Sequence, residues 1–164
     1  MTEPVIAASA YEIVLALHIM AVVVAFGVTF AYPVIFAVGA RNDPRSLPVL
    51  HRIEYSIERY LINPGLLVVL AAGIFLASDG HHWSEFFVQW GLGAVIVIGA
   101  LVGSVMIPSA KRAELLAARD IEAAGAGAIA MSAEYQAVVR RLTLVGSLLS
   151  GLILLTILFM VVQP

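Results

Sequence analysis

The sequence predicts an all-α fold, a polytopic membrane four-helix bundle with both termini extracytoplasmic. Three observations lead there. The chain is 62% hydrophobic and only 12% charged over 164 residues, whereas a soluble domain is about half apolar and one-quarter charged. Four apolar stretches are each long enough to cross a ~30 Å hydrocarbon core as a helix. All nine Lys and Arg residues fall in two of the connections between those stretches. Length and pattern together give a single membrane domain, 1–164.

The opening MTEPVIAASAYE has no Lys or Arg. A secretory signal needs a positive start and a short apolar run, so the first segment reads as a retained transmembrane helix. The spans fall at about 13–39, 61–78, 86–108 and 142–162. In lipid the backbone must satisfy its own hydrogen bonds, which makes these segments helices. They are too continuously apolar for the strands of a membrane barrel.

Charge sets the expected topology. The first connection carries Arg41, Arg45, Arg52 and Arg59, and the third carries Lys111, Arg112, Arg119, Arg140 and Arg141. By the positive-inside rule these two connections are cytoplasmic, and anionic lipid is their expected contact. Trp83, Phe86, Phe87 and Trp90 cluster where the third span begins, and Tyr55 and Tyr60 where the second begins. These are interfacial positions for amphipathic rings.

Within the first connection, about 45–60 reads as an amphipathic cytoplasmic helix lying at the membrane interface. Val49, Ile53, Ile57 and Leu61 recur every fourth residue and form its apolar stripe. Pro64, in Asn63-Pro64-Gly65, is expected to bend its junction with the second span, because proline lacks an N–H and crowds the preceding turn. The third connection, about 109–141, reads as a helical hairpin. KRAELLAARDIEAA extends the third span, the glycines of AGAGA (Gly125 and Gly127) make the turn, and Ser132 opens a helix running into the fourth span. Gly99 and Gly103, Ser147 and Gly151, Ala21 and Ala25, and Gly73 and Ala77 are small-xxx-small pairs expected to let helices approach closely.

The candidate chemistry is narrow. There are no cysteines, which excludes disulfides and thiolate ligands. The spans contain no Asp, Glu, Lys or Arg, unlike voltage sensors and most proton-coupled pumps. No phosphate loop or metalloprotease helix is present, and nucleic-acid binding has no support. His18, in ALHIMAVVVAFGVTFAYP, is the exception. An intramembrane imidazole can ligate a metal or haem iron, or hydrogen-bond a neighbouring helix. His81 and His82, in SDGHHWSE, lie on the same expected side, so His18, His81 and His82 form the candidate metal set. Met20 and Met160 share that half, which allows a His–Met haem pair. His51, Glu54 and Glu58 share one helical face at i, i+3 and i+7. That spacing resembles a carboxylate–histidine metal face, but an ordinary solvated face is the simpler expectation.

The run ALHIMAVVVAFGVTFAYPVIFAVGAR, followed by IERYLINPG, resembles an uncharacterised family of bacterial four-helix integral membrane proteins, a domain of unknown function. There is a looser likeness to the HemJ-type protoporphyrinogen oxidases and the CopD-like copper-resistance membrane domains. The HemJ-type pattern of a haem-associated first-helix histidine is matched by His18, its Glu-Arg by Glu58 and Arg59, and the following proline by Pro64. That family also has a lysine and a histidine in its third helix, where this chain has neither. The resemblance implies haem b or copper as cofactor, held at His18, in a bacterial plasma membrane. The leading expectation is therefore a haem- or metal-binding membrane protein. The alternatives are an accessory subunit of a larger membrane complex, a homo-oligomer among them, and a small transporter, which would need an internal polar cavity.

Overall fold

The computed structural model describes residues 9–163; most of the basic-free opening stretch lies outside them. Among the described residues every regular element is helical, and four continuous helical segments are long and apolar enough to cross a membrane. In the most apolar stretch of each, between 11% and 22% of the residues are buried. Most of their apolar side chains are therefore half-buried or exposed around one narrow shared core.

α1 (Ala10–Phe26) begins at a capping box. The Ser9 side chain accepts from the Glu12 N–H at 3.2 Å, and the Ser9 N–H donates to the Glu12 carboxylate at 2.8 Å. Two of the helix's unpaired first-turn donors are satisfied this way. A 3-10 turn, Gly27–Phe30, joins α1 to α2 (Tyr32–Asn42). Pro33 explains the interruption, because it has no N–H to donate to the preceding turn.

A second 3-10 turn, Pro44–Ser46, leads into α3 (Leu47–Ile57). A π turn, Glu58–Ile62, connects α3 to α4 (Asn63–Asp79). α5 (Phe86–Leu101) passes through a matching π turn, Val102–Met106, into α6 (Ile107–Ala124). Each π turn stands just before a proline, Pro64 or Pro108. There the Asn63 N–H reaches back to the Glu58 carbonyl and the Ile107 N–H to the Val102 carbonyl. The prolines therefore widen the helix by one residue. At Pro64 the junction is a widened turn within a continuous helical segment, Pro44–Asp79.

Gly125, with φ of 55°, closes α6 in a conformation that favours glycine. α7 (Ala133–Val162) starts at Ser132, whose hydroxyl accepts from the Tyr135 N–H at 3.2 Å. α1 packs on α4, α4 on α5, and α5 on α7; at the other end α3 packs on α6 and α6 on α7. The bundle thus has a terminal end, holding the start of α1, the end of α7 and the α4–α5 connection, and a basic end, holding α3 and the α6–α7 hairpin.

Two expectations need correction. First, the polar face of α3 is the buried one. Val49 and Ile53, on the expected apolar face, are 55% and 49% exposed, while His51, Glu54 and Glu58 are 2%, 5% and 1% exposed. The solvated-face reading of that trio is wrong, because α3 turns its polar face inward onto Tyr135 and the α6–α7 layer. Second, Gly99 and Gly103 meet nothing within 4 Å at the position of a Cβ, and neither does Gly151. Close approach occurs instead at Gly65, where a Cβ would stand 2.6 Å from Ala25 Cβ. α1 and α4 pack through that pair. At the basic end Arg52, Lys111, Arg112 and Arg119 also pair with carboxylates of the chain itself. Arg52 and Lys111 converge on the buried Glu114 at 2.8 and 2.9 Å, and Arg119 bridges Asp120 and Glu134.

Candidate functional site

Two cavities lie between the helices, one at each end of the bundle. The terminal-end cavity, about 450 Å³, is almost wholly apolar and is walled by α1, α4, α5 and α7. His18, His82 and Met160 all contribute to its wall. His18 is placed by the missing side chain of Gly73, where a Cβ would sit 3.4 Å from the imidazole Cε1. Its Nδ1 is buried and makes no hydrogen bond of full geometry, and the nearest polar group to the imidazole is the Val69 backbone. His82 folds over Gly80, and its ring lies 6.0 Å from that of Phe87. The cavity's rim is tied by Trp90, whose indole N–H donates to the Thr156 hydroxyl at 3.1 Å. Edge-on contact of Trp90 with Phe159 at 5.0 Å holds the same ends of α5 and α7 together.

His81 does not join this group. It is exposed, adopts the left-handed backbone with φ of 58°, and its Nδ1 stands 3.1 Å from the Asp79 carbonyl. The three candidate histidines are therefore split, two on the cavity and one outside it. Among the described residues no group of three or more His, Asp or Glu side chains stands where it could hold a bare metal ion.

The basic-end cavity, about 820 Å³, is larger and chemically different. His51 links two partners across it: Nδ1 lies 3.0 Å from Glu54 Oε2, and Nε2 lies 3.0 Å from the Tyr135 hydroxyl. The Phe36 ring stacks obliquely on the His51 imidazole at 4.6 Å. Glu58 and Tyr32 face the same cavity, and both Glu58 Oε2 and the Tyr32 hydroxyl are buried without a partner. The i, i+3, i+7 spacing marked His51, Glu54 and Glu58 as one face, but Tyr32 and Tyr135 were not anticipated. The available signal was Pro64: a proline within a helical segment removes a backbone donor, and the π turns that accommodate such breaks recur at functional sites.

Outside the spans, the α6–α7 hairpin is tuned by its own charges. The Ser132 N–H donates to Asp120 Oδ2 at 2.8 Å and, with Ser132 and Arg119 side-chain contacts, holds the Asp120 carboxyl below its ordinary range. Burial pushes the Glu114 carboxyl up, but the Lys111 ammonium and the Arg52 guanidinium outweigh it and leave it below the ordinary value.

Comparison of the chain with protein-family models, with curated proteins and with solved structures found no match.

Proposed function

We propose that the chain is a multi-pass protein of a bacterial plasma membrane, with its basic end in the cytoplasm and both termini outside. On this reading the terminal-end cavity holds a haem-class cofactor on His18. Membrane insertion is supported by the four long apolar helices, most of whose apolar side chains are half-buried or exposed. In water that surface would drive aggregation; lipid covers it at no cost.

The observation that supports the cofactor is that His18 and His82 stand together on the wall of one apolar cavity. A volume of about 450 Å³ falls within the ~300–1,000 Å³ of small-molecule sites. The scarcity of donors favours a tetrapyrrole over a bare copper ion. A macrocycle brings four equatorial nitrogens and needs only one or two axial ligands from the protein, whereas a bare ion needs three or more donors from the chain. When bound, the group would supply electron transfer or oxidative chemistry. The chain's own part is to present an imidazole, exclude water with apolar walls and brace the rim through Trp90 and Thr156.

The test is optical. The chain, purified in mild detergent from cells supplied with haem, is expected to show a Soret band at one haem per chain, and His18→Ala to lose it while eluting at the same size. His82→Ala is expected to shift the band if both imidazoles bind iron, or leave it in place if His18 binds alone. A wild-type chain with no Soret band under haem supply overturns the proposal.

A further inference from the structure

We propose that the basic-end cavity is a binding site for an organic ammonium ion, with the Glu58 carboxylate as its anchor. This site is independent of the His18 cavity. The argument starts from charge. Among the described residues the cavity is lined by two carboxyls, Glu54 and Glu58, and one imidazole, His51, with no Lys or Arg side chain. That is notable at the end of the molecule where every cation of the sequence is gathered. Those cations are turned elsewhere: Arg52 and Lys111 to Glu114, Arg112 and Arg119 to Glu134, and Arg45 to the Gly125 carbonyl.

Within the cavity His51 answers Glu54 and Tyr135. Nothing answers Glu58. It is 1% exposed, and its Oε2 has no partner. A buried carboxylate without a counter-charge is strongly disfavoured, so Glu58 carries a proton when the cavity is empty and gives it up when an occupant carrying positive charge faces it. The Tyr32 hydroxyl, also partnerless, adds an acceptor on the same wall.

The class of cation follows from size and lining. About 820 Å³ is far more than a metal ion needs, and no three ligands are arranged for one. Phe26, Phe36, Tyr32 and Tyr135 supply aromatic surface to the wall. Aromatic faces attract ammonium groups and accept the hydrocarbon attached to them. The helix irregularities point to the same place. The Gly27–Phe30 turn contributes Thr29, the Glu58–Ile62 π turn contributes Glu58, and the Val102–Met106 π turn contributes Met106. Three proline-linked breaks in different helices converge on one cavity, and the π turn after α3 is what carries Glu58 into it.

The probe is benzyltrimethylammonium, with neopentylbenzene as its neutral isostere, titrated calorimetrically into the full-length chain in lipid nanodiscs. Saturable binding of the cation and none of the isostere is expected. Glu58→Gln is expected to weaken the cation about tenfold or more, the loss of one charge-assisted contact. Glu85→Gln removes an exposed carboxylate at the other end and is expected to change nothing. Equal binding of cation and isostere would mean apolar partitioning and overturn the proposal. So would the absence of saturable binding, or a folded Glu58→Gln chain with wild-type affinity. The wild-type comparison needs no variant, so a Glu58→Gln chain that does not fold leaves the test intact.

Discussion

Tyr135→Phe tests whether the polar face of α3 is held inside the bundle. The substitution removes one oxygen and keeps the ring, which meets the His51 imidazole edge-on at 5.8 Å and 73°. Packing is almost unchanged, so the loss is the 3.0 Å contact to His51 Nε2. Leaving a buried polar group unpaired costs ~1–3 kcal/mol. His51 also lines the cavity, so water can take up the vacated position, which places the expected loss near the lower limit, ~1–1.5 kcal/mol. That is about a tenfold fall in the folded-to-unfolded ratio. The assay is equilibrium unfolding in micelles of rising SDS fraction, followed by far-UV circular dichroism. Tyr60→Phe provides the comparison: it removes the same oxygen from a side chain 71% exposed, with an expected effect within ~0.5 kcal/mol. If the two variants unfold together with wild type, the hydroxyl is not bonded to His51, and the inward turn of α3 has been misassigned.

Other outcomes follow from the same physics. Gly65→Ala forces α1 and α4 apart at Ala25 and is expected to cost ~1–3 kcal/mol in the same titration; Gly99→Ala, which meets nothing, is expected to be neutral or slightly stabilising. Equal effects would mean that α1 and α4 do not meet there. The depressed Asp120 carboxyl makes the hairpin pH-dependent. A group held below its unfolded value of ~4 stabilises the fold above that value and loses the contribution as pH falls through its folded value. Amide exchange across 125–132, corrected for intrinsic rates, is thus expected to quicken as pH drops below ~4; a flat profile from pH 6 to 3 would contradict the Ser132–Asp120 contact. Exchange of Ile53 for Asn is expected to leave folding in detergent nearly unchanged while reducing partition into bilayers, because the side chain is exposed; a collapse of folding would place it in the core.

The helical class, the four long apolar segments and the gathering of cations at one end are properties of local composition and period, and they were legible without coordinates. Ser132 was also legible in kind, since a cap needs only a hydroxyl and the first turn beside it, whereas the Ser9 capping box appeared only in the structure. The sign of α3 was not. A period of four identifies a face made of Val49, Ile53, Ile57 and Leu61, and in water that face would be the buried one. In a lipid-exposed helix either face can be the inner one, because hydrocarbon outside is as good a partner for Ile53 as hydrocarbon inside. What then decides the orientation is where polar groups find partners. His51 finds Glu54 on its own helix but Tyr135 from 84 residues away, and only the tertiary structure brings that hydroxyl within reach.

The glycines make the same point. GxxxG spacing on α5 is a strong local pattern, yet Gly99 and Gly103 face open space, and the close approach falls to Gly65, which has no such spacing. His18 was singled out by sequence alone, as the one charge-capable nitrogen donor in a span. That its imidazole would seat over Gly73, and that His82 but not His81 would share its cavity, depended on how α1, α4 and the loop before α5 pack. Sequence determined what each segment is made of and which phase it suits. The tertiary structure decided which side of each segment looks inward, because on the proposed bilayer reading the hydrophobic effect no longer makes that choice and pairing of the few polar groups does.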